Sequence, residues 1–344
     1  MQKRITEKGK LLDENGSLAQ KGYATKLLLE YDRAAIKARS SRIKEWDYYY
    51  VGNDDFGIAL TIADNSYMGL VSYSFLHFRQ PLNVTKAAIL PFTRGKLGLP
   101  SSSVKGDIGY KGKKVETYFK NDGKVRVLTA KYENFYNGKP FEVNITLDNE
   151  PQDSIVMATP FPKVPTAFYY NQKINCLQAT GYAIFNGERY EFNKDNNSMG
   201  VLDWGRGVWT YSNTWYWGSL STNLGDHTFG FNIGYGFGDT SAASENMLFY
   251  NGEAHKISKV NFNIPTKDGK DDFMADWTFS SDDGRFEFTF RPLLDRYANT
   301  TIGLIASNQH QVFGEFSGRA ILDDGTVIEL DKAVGFAEKV KNRW

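Results

Sequence analysis

Apolar and polar residues alternate over short stretches along most of the chain. Residues 47–51, 57–63, 67–78, 115–119, 124–133 and 141–148 are rich in Val, Ile, Tyr, Phe and Thr, and they end at Asn-Asp, Asn121-Asp-Gly123 or Asn137-Gly138. A period of two closed by such turns predicts strands joined as antiparallel hairpins, not alternating strand and helix units. The pattern returns at 214–222, 227–237, 246–250, 255–264, 274–280, 285–290, 301–306, 310–322 and 326–330. Many short strands at this spacing predict an all-β chain folded as a sandwich or barrel. A helical candidate is confined to 26–38, inside a lead of residues 1–45. Two stretches break the pattern. Residues 79–112, with Pro81, Pro91 and Pro100, read as a long irregular excursion. The run from Pro151 to Pro165 resists a central strand because proline supplies no donor.

Residues 229–238 alternate strictly, so Phe229, Phe231, Ile233, Tyr235 and Phe237 share one face while Gly230, Asn232, Gly234, Gly236 and Gly238 share the other. With Asn223-Leu-Gly-Asp226 as the turn and Thr222 facing His227, Trp215 is predicted opposite Gly234 and Trp217 opposite Asn232. The indoles then lie over a glycine floor, which is either core packing or a shallow bed for a ligand with Asn232 as a polar fixture.

The length of 344 residues suits two domains. Lys and Arg total 41 against 40 for Asp and Glu, so no net field draws nucleic acid or an anionic membrane. Cys176 is the sole cysteine, which excludes an intramolecular disulfide, and it reads as a small buried hydrophobe. The charged amino terminus and the absence of any apolar run of membrane-spanning length predict a cytoplasmic protein without integral membrane contact. Phosphate loops, dinucleotide fingerprints and the Gly-x-Ser-x-Gly elbow are absent. His77, His227, His255 and His310 are dispersed, so neither a metal nor a cofactor is expected.

Carboxylates among aromatic rings remain. The stretch Val201–Trp217 holds four of the seven tryptophans around Asp203 and Arg206. A carboxyl held against indoles keeps its proton near neutral pH unless a cation pairs with it. Asp203 is therefore either a general acid, with Arg206 turned to a ligand, or half of an ion pair that fixes a corner. Glu245 is a second carboxylate at the mouth of the glycine-faced strand, or a solvated loop charge. Trp46-Asp-Tyr-Tyr-Tyr50 again mixes an acid with aromatics and contributes Tyr49.

Trp46-Asp47-Tyr48, Ala63-Asp64-x-x-Tyr67-x-Gly69, Asp203-Trp204-x-Arg206-Gly207 with Trp215-x-Trp217, Glu245-Asn246, Asn251-Gly-x-x-His255-Lys256, and Gly335-Phe-x-Glu338 with Arg343-Trp344 together resemble the bacterial domain-of-unknown-function family 2804. That family is similar to two-domain lipocalin-like proteins, among them carotenoid 1,2-hydratases. The resemblance implies two consecutive lipocalin-like (calycin) β-barrels or half-barrels, at 46–210 and 211–344. It also implies an acid that protonates an isoprenoid double bond. Asp203-Trp204-Gly205 occupies the comparable place, with Trp204 where the hydratases carry a His.

The expectation is an acid-catalysed hydratase, isomerase or cyclase acting on a small apolar, isoprenoid- or lipid-like substrate. Asp203 is its acid and Glu245 the second carboxylate. Trp209, Trp215 and Trp217 shield a cation, while Asn232 and Tyr49 orient the substrate. One alternative is a non-catalytic carrier or sensor of a hydrophobic metabolite, with Arg206 as a carboxylate clamp. Another is a carbohydrate-active protein using Asp203 and Glu245 as a pair. They part on where the Asp203 carboxyl points.

Overall fold

A computed structural model describes residues 2–343, the side chain of Ile302 excepted; Trp344 of the terminal motif lies outside them. Two curled antiparallel sheets, half-barrels of thirteen and nine strands among the described residues, make up most of the molecule. The first runs Leu82–Pro91, Met68–His77, Phe56–Asp64, Ile43–Gly52, Met199–Val208, Phe168–Phe185, Lys139–Asp148, Arg126–Tyr136, Val115–Asn121, Ile108–Lys111, with Ile155–Pro160 and Glu188–Phe192 also paired to Phe168–Phe185 and Gly22–Ala24 paired to Ile155–Pro160. The second runs Glu253–Lys256, Met247–Tyr250, His227–Tyr235, Ser212–Leu224, Val327–Arg343, Ile305–Ile321, Phe286–Ile302, Trp277–Ser281, Val260–Asn263. The all-β, two-half-barrel, lipocalin-like architecture expected from the sequence is the one observed.

Each sheet curls around its own apolar core, and a further cluster containing Tyr48, Tyr50, Val201, Trp217, Phe313 and Phe336 packs the two sheets together. The strands at this junction are buried on both faces, which alternation assigns to different partners. Along Met199–Val208, Leu202, Trp204 and Val208 enter the first core, whereas Val201 turns to the second sheet. Asn175, fully buried, locks the junction. Its amide donates to Ser219 Oγ at 2.8 Å and to the Phe231 carbonyl at 3.0 Å, replacing water that those groups have lost.

Several expectations are corrected. No α-helix forms at 26–38. Leu29–Glu30 pairs in parallel with Gly9–Lys10, and a 3-10 turn follows at Arg33–Ala35. Weak helical periodicity there loses to long-range contacts, since the Leu29 carbonyl accepts from the buried Tyr170 hydroxyl at 2.7 Å. The 79–112 excursion contains the ten-residue strand Leu82–Pro91. Among the described residues that strand pairs only with Met68–His77, and it has proline just before it and at its last position, where no ladder donor is missed. Likewise Ile155–Pro160 is a strand whose proline closes it.

The hairpin register also differs. Leu224 faces His227 across a two-residue turn whose Gly225 has φ +64°, a left-handed conformation suited to glycine. Trp217, not Trp215, therefore lies opposite Gly234. The shift is two residues, so every side chain keeps its predicted face.

Candidate active site

Where the sheets meet, alternation aims charged side chains at one another. Lys173 and Asp203 are cross-strand partners in the first sheet, and the ammonium lies 3.1 Å from Asp203 Oδ1. The same ammonium is 3.8 Å from Glu245 Oε2 and 4.0 Å from the centre of the Trp217 ring. Asp203 also accepts from the Asn171 amide, and its Oδ2 accepts from Trp46 Nε1 at 3.1 Å. Across the junction, Glu338 Oε1 accepts from Trp215 Nε1 at 2.9 Å. Trp217 Nε1 donates to Asn232 Oδ1 at 2.7 Å, and the Asn232 amide donates to Glu245 through its carbonyl at 2.9 Å and its carboxylate at 3.2 Å.

These surroundings sort the carboxyls. Burial pushes Glu338 up to about 7, against the Trp215 hydrogen bond and the Lys173 charge, while the Asp203 charge raises it further. Burial likewise raises Glu245, opposed by Lys173 and Asn232. Burial, aided by the charges of Asp203, Glu245 and Glu338, holds the Tyr169 hydroxyl well above its ordinary value, so it stays protonated. Asp203 faces an ammonium and two neutral donors at once. The site thus holds one paired carboxylate and one carboxyl poised to be neutral.

An aromatic wall stands beside these groups. Trp46 stacks on Tyr169 at 6.0 Å and meets Trp209 edge-on at 5.2 Å, and Trp209 meets Trp215 at 5.9 Å. Phe237 packs edge-on among them, 4.7 Å from Tyr169, 4.8 Å from Trp209 and 5.2 Å from Trp215.

The structure thereby gathers Asp203, Glu245, Trp215, Trp217 and Asn232, with Trp209 in the wall. Arg206 and Tyr49 lie on the opposite strand faces. Arg206, fully buried, pairs with Asp47 at 2.9 Å, donates to the carbonyls of Trp46, Gly205 and Pro100, and lies over the Trp204 ring. Three residues along a strand reverse the face, so Arg206 pairs with Asp47 and not with Asp203. Tyr49 accepts from Arg126 at 3.3 Å within the first core. The glycine floor serves the protein's own side chains. A Cβ at Gly234 would stand 2.6 Å from Glu245 Oε1, and one at Gly230 2.6 Å from Cys176 Sγ.

Lys173, Glu338 and Tyr169 were not singled out as site residues by the sequence reading. The available signal for Glu338 was its phase, because Val334, Phe336, Glu338 and Val340 share one strand face and place a carboxylate in an apolar row.

The family model described as "Domain of unknown function (DUF2804)" matches residues 2–344. The chain belongs to the DUF2804 family. No curated protein matches this DUF2804 chain. Among solved structures it is similar to a protein assigned as AttH from Nitrosomonas europaea, at 11% identity over 88% of this chain and 93% of that one, with a TM-score of 0.53. Kievitone hydratase from Nectria haematococca covers 98% of both chains at 11% identity and a TM-score of 0.47. CghA, in complex with Sch210972, covers 88% of both at 9% and 0.45. At these identities the likeness to AttH establishes a shared fold.

Proposed function

We propose that this DUF2804 protein is an acid-catalysed lyase, isomerase or cyclase acting on a small, largely apolar substrate at the junction of the two sheets. The observation that carries the reading is the Glu338 carboxyl, buried beside an aromatic wall with Trp215 Nε1 on one oxygen at 2.9 Å, where burial pushes it up to about 7. A carboxylic acid titrating near the working pH has the best combination of protonated population and driving force for proton donation. Glu338 therefore takes the role of acid first assigned to Asp203. Trp215 fixes one of its oxygens, and the other delivers the proton to a double bond or a departing hydroxyl.

The positive charge so formed faces the rings of Trp46, Trp209 and Trp215, whose π faces attract cations. The ion pair of Asp203 with Lys173 supplies fixed charge, and Glu245, raised but bonded to Asn232, accepts a proton as the cation collapses. Phe237 occupies the apolar volume inside the wall, and its displacement makes room for the substrate. The carrier alternative loses its clamp, because Arg206 is committed to Asp47 on the other face.

The test begins with mass spectrometry of small molecules retained by the natively purified chain, followed by incubation of each at higher concentration. The expected result is turnover by the wild type and none by Glu338→Gln, with retention of the molecule unchanged in both. A retained molecule that neither protein converts would overturn the catalytic reading in favour of a carrier.

A further inference from the structure

A recess opens beside the other face of strand Ile43–Gly52, and none of the groups proposed above for catalysis lines it. Its volume is about 390 Å3, within the range of roughly 300–1,000 Å3 common for small-molecule sites. Tyr31, Asp32 and Arg33 of the lead and Glu45 of Ile43–Gly52 form one side, and the loop from Gly95 to Ser101 forms the other.

The recess is built, not incidental. Glu45 is almost wholly buried, yet it accepts from the Tyr31 hydroxyl at 2.8 Å and from Arg33. Arg33 also donates to Ser66 Oγ at 3.2 Å, and a guanidinium offers five N–H donors, more than these two bonds use. Gly95 allows this approach, since a Cβ there would stand 2.6 Å from Arg33 Nε. Fully buried Asp64 anchors the facing loop, accepting from Thr93 Oγ1 and from the Gly95 amide at 2.8 Å each. Behind the recess, two buried donors have no hydrogen-bond partner among the described residues, Trp204 Nε1 and Arg206 Nε. The Trp204 ring meets Tyr31 edge-on at 6.4 Å, and Arg206 bonds the carbonyl of Pro100, next to Ser101.

The charges decide the ligand class. Arg33 is paired with Glu45, and Arg206 behind it with Asp47, so neither a carboxylate nor an ammonium meets an uncompensated buried counter-charge in the recess. A neutral molecule carrying several hydroxyls meets both signs, because each hydroxyl donates to a carboxylate and accepts from a guanidinium without displacing the Arg33–Glu45 pair. Five of the eight lining residues carry polar side chains, and Leu99 is the single aliphatic one. We propose that this recess binds a neutral polyhydroxylated molecule of mono- to disaccharide size.

Saturation-transfer NMR on the full chain, with glucose, galactose, maltose and inositol as neutral probes and gluconate and glucosamine as charged ones, tests this. At least one neutral probe should bind saturably and at least about tenfold more tightly than either charged one. Ser101→Trp, at an exposed position on the rim, should abolish binding. Arg33→Lys, which keeps the charge opposite Glu45 but loses the fork, should weaken it about tenfold. Absence of binding by all four neutral probes, tighter binding of gluconate or glucosamine, or binding that survives Ser101→Trp would overturn the assignment. Binding lost in Glu338→Gln but kept in Ser101→Trp would place the sugar at the sheet junction, which also overturns it.

Discussion

Trp215 donates its indole N–H to Glu338 across neighbouring strands, at 2.9 Å, and so gives a buried carboxyl one fixed oxygen. This hydrogen bond favours the ionised form, so its removal raises the Glu338 pKa further. Trp215→Phe keeps the ring and deletes the donor. The alkaline limb of Glu338-dependent turnover should then move up by roughly one pH unit, about 1.4 kcal/mol. A pH–rate profile measures it, and an unmoved limb would argue against Glu338 as the acid.

Stability should depend on pH in a direction opposite to that of a salt-bridged carboxylate. Glu338 rises from 4.5 to about 7 on folding, so the folded chain keeps a proton that the unfolded chain has released. The stabilisation is complete below pH 4.5 and is lost as pH climbs through 7, a loss on the order of 3 kcal/mol. Urea denaturation of wild type and Glu338→Gln at pH 5 and pH 8 isolates the effect. The wild type should lose that amount relative to the glutamine variant; parallel losses would contradict the burial argument.

Lys173 is the counter-ion that both Asp203 and Glu245 face. Lys173→Met leaves buried carboxylates uncompensated and should cost about 3–5 kcal/mol. Adding Asp203→Asn removes one of the stranded charges, so the double variant should be less damaged than the two single losses added together. Strict additivity in a double-mutant cycle would show that the two residues do not form an energetic pair.

Gly234 keeps space for Glu245. In Gly234→Ala the new methyl would stand 2.6 Å from Glu245 Oε1 and 2.7 Å from the Tyr216 carbonyl. Overpacking of this kind costs roughly 1–3 kcal/mol, and thermal unfolding should show a lowered Tm. An unchanged Tm would mean that the carboxylate moves aside freely, contrary to its hydrogen bonds with Asn232.

The hairpins were legible because their signals are local. Asn137-Gly138 turns with φ +49° and +77°, as the dipeptide predicts. Phe168–Phe185 was not among the predicted strands, because both faces of its first ten residues are buried. Phe168, Tyr170 and Ile174 enter the first core while Lys173 lies over Trp217 and Asn175 bonds Ser219 of the second sheet, so no wet face marks the period there. Met199–Val208 was missed for the same reason. With it went the parity rule that separates Asp203 from Arg206. Glu338 and Trp215 lie 123 positions apart, and only the pairing of the final strand with Ser212–Leu224 unites them.

The most direct test of the central claim needs no substrate. Infrared difference spectra of wild type minus Glu338→Gln, recorded from pH 4.5 to 9, isolate the Glu338 carboxyl. A protonated-carboxyl band should stand at the acid end and give way to carboxylate with a midpoint near pH 7. A carboxylate band across the whole range would contradict it.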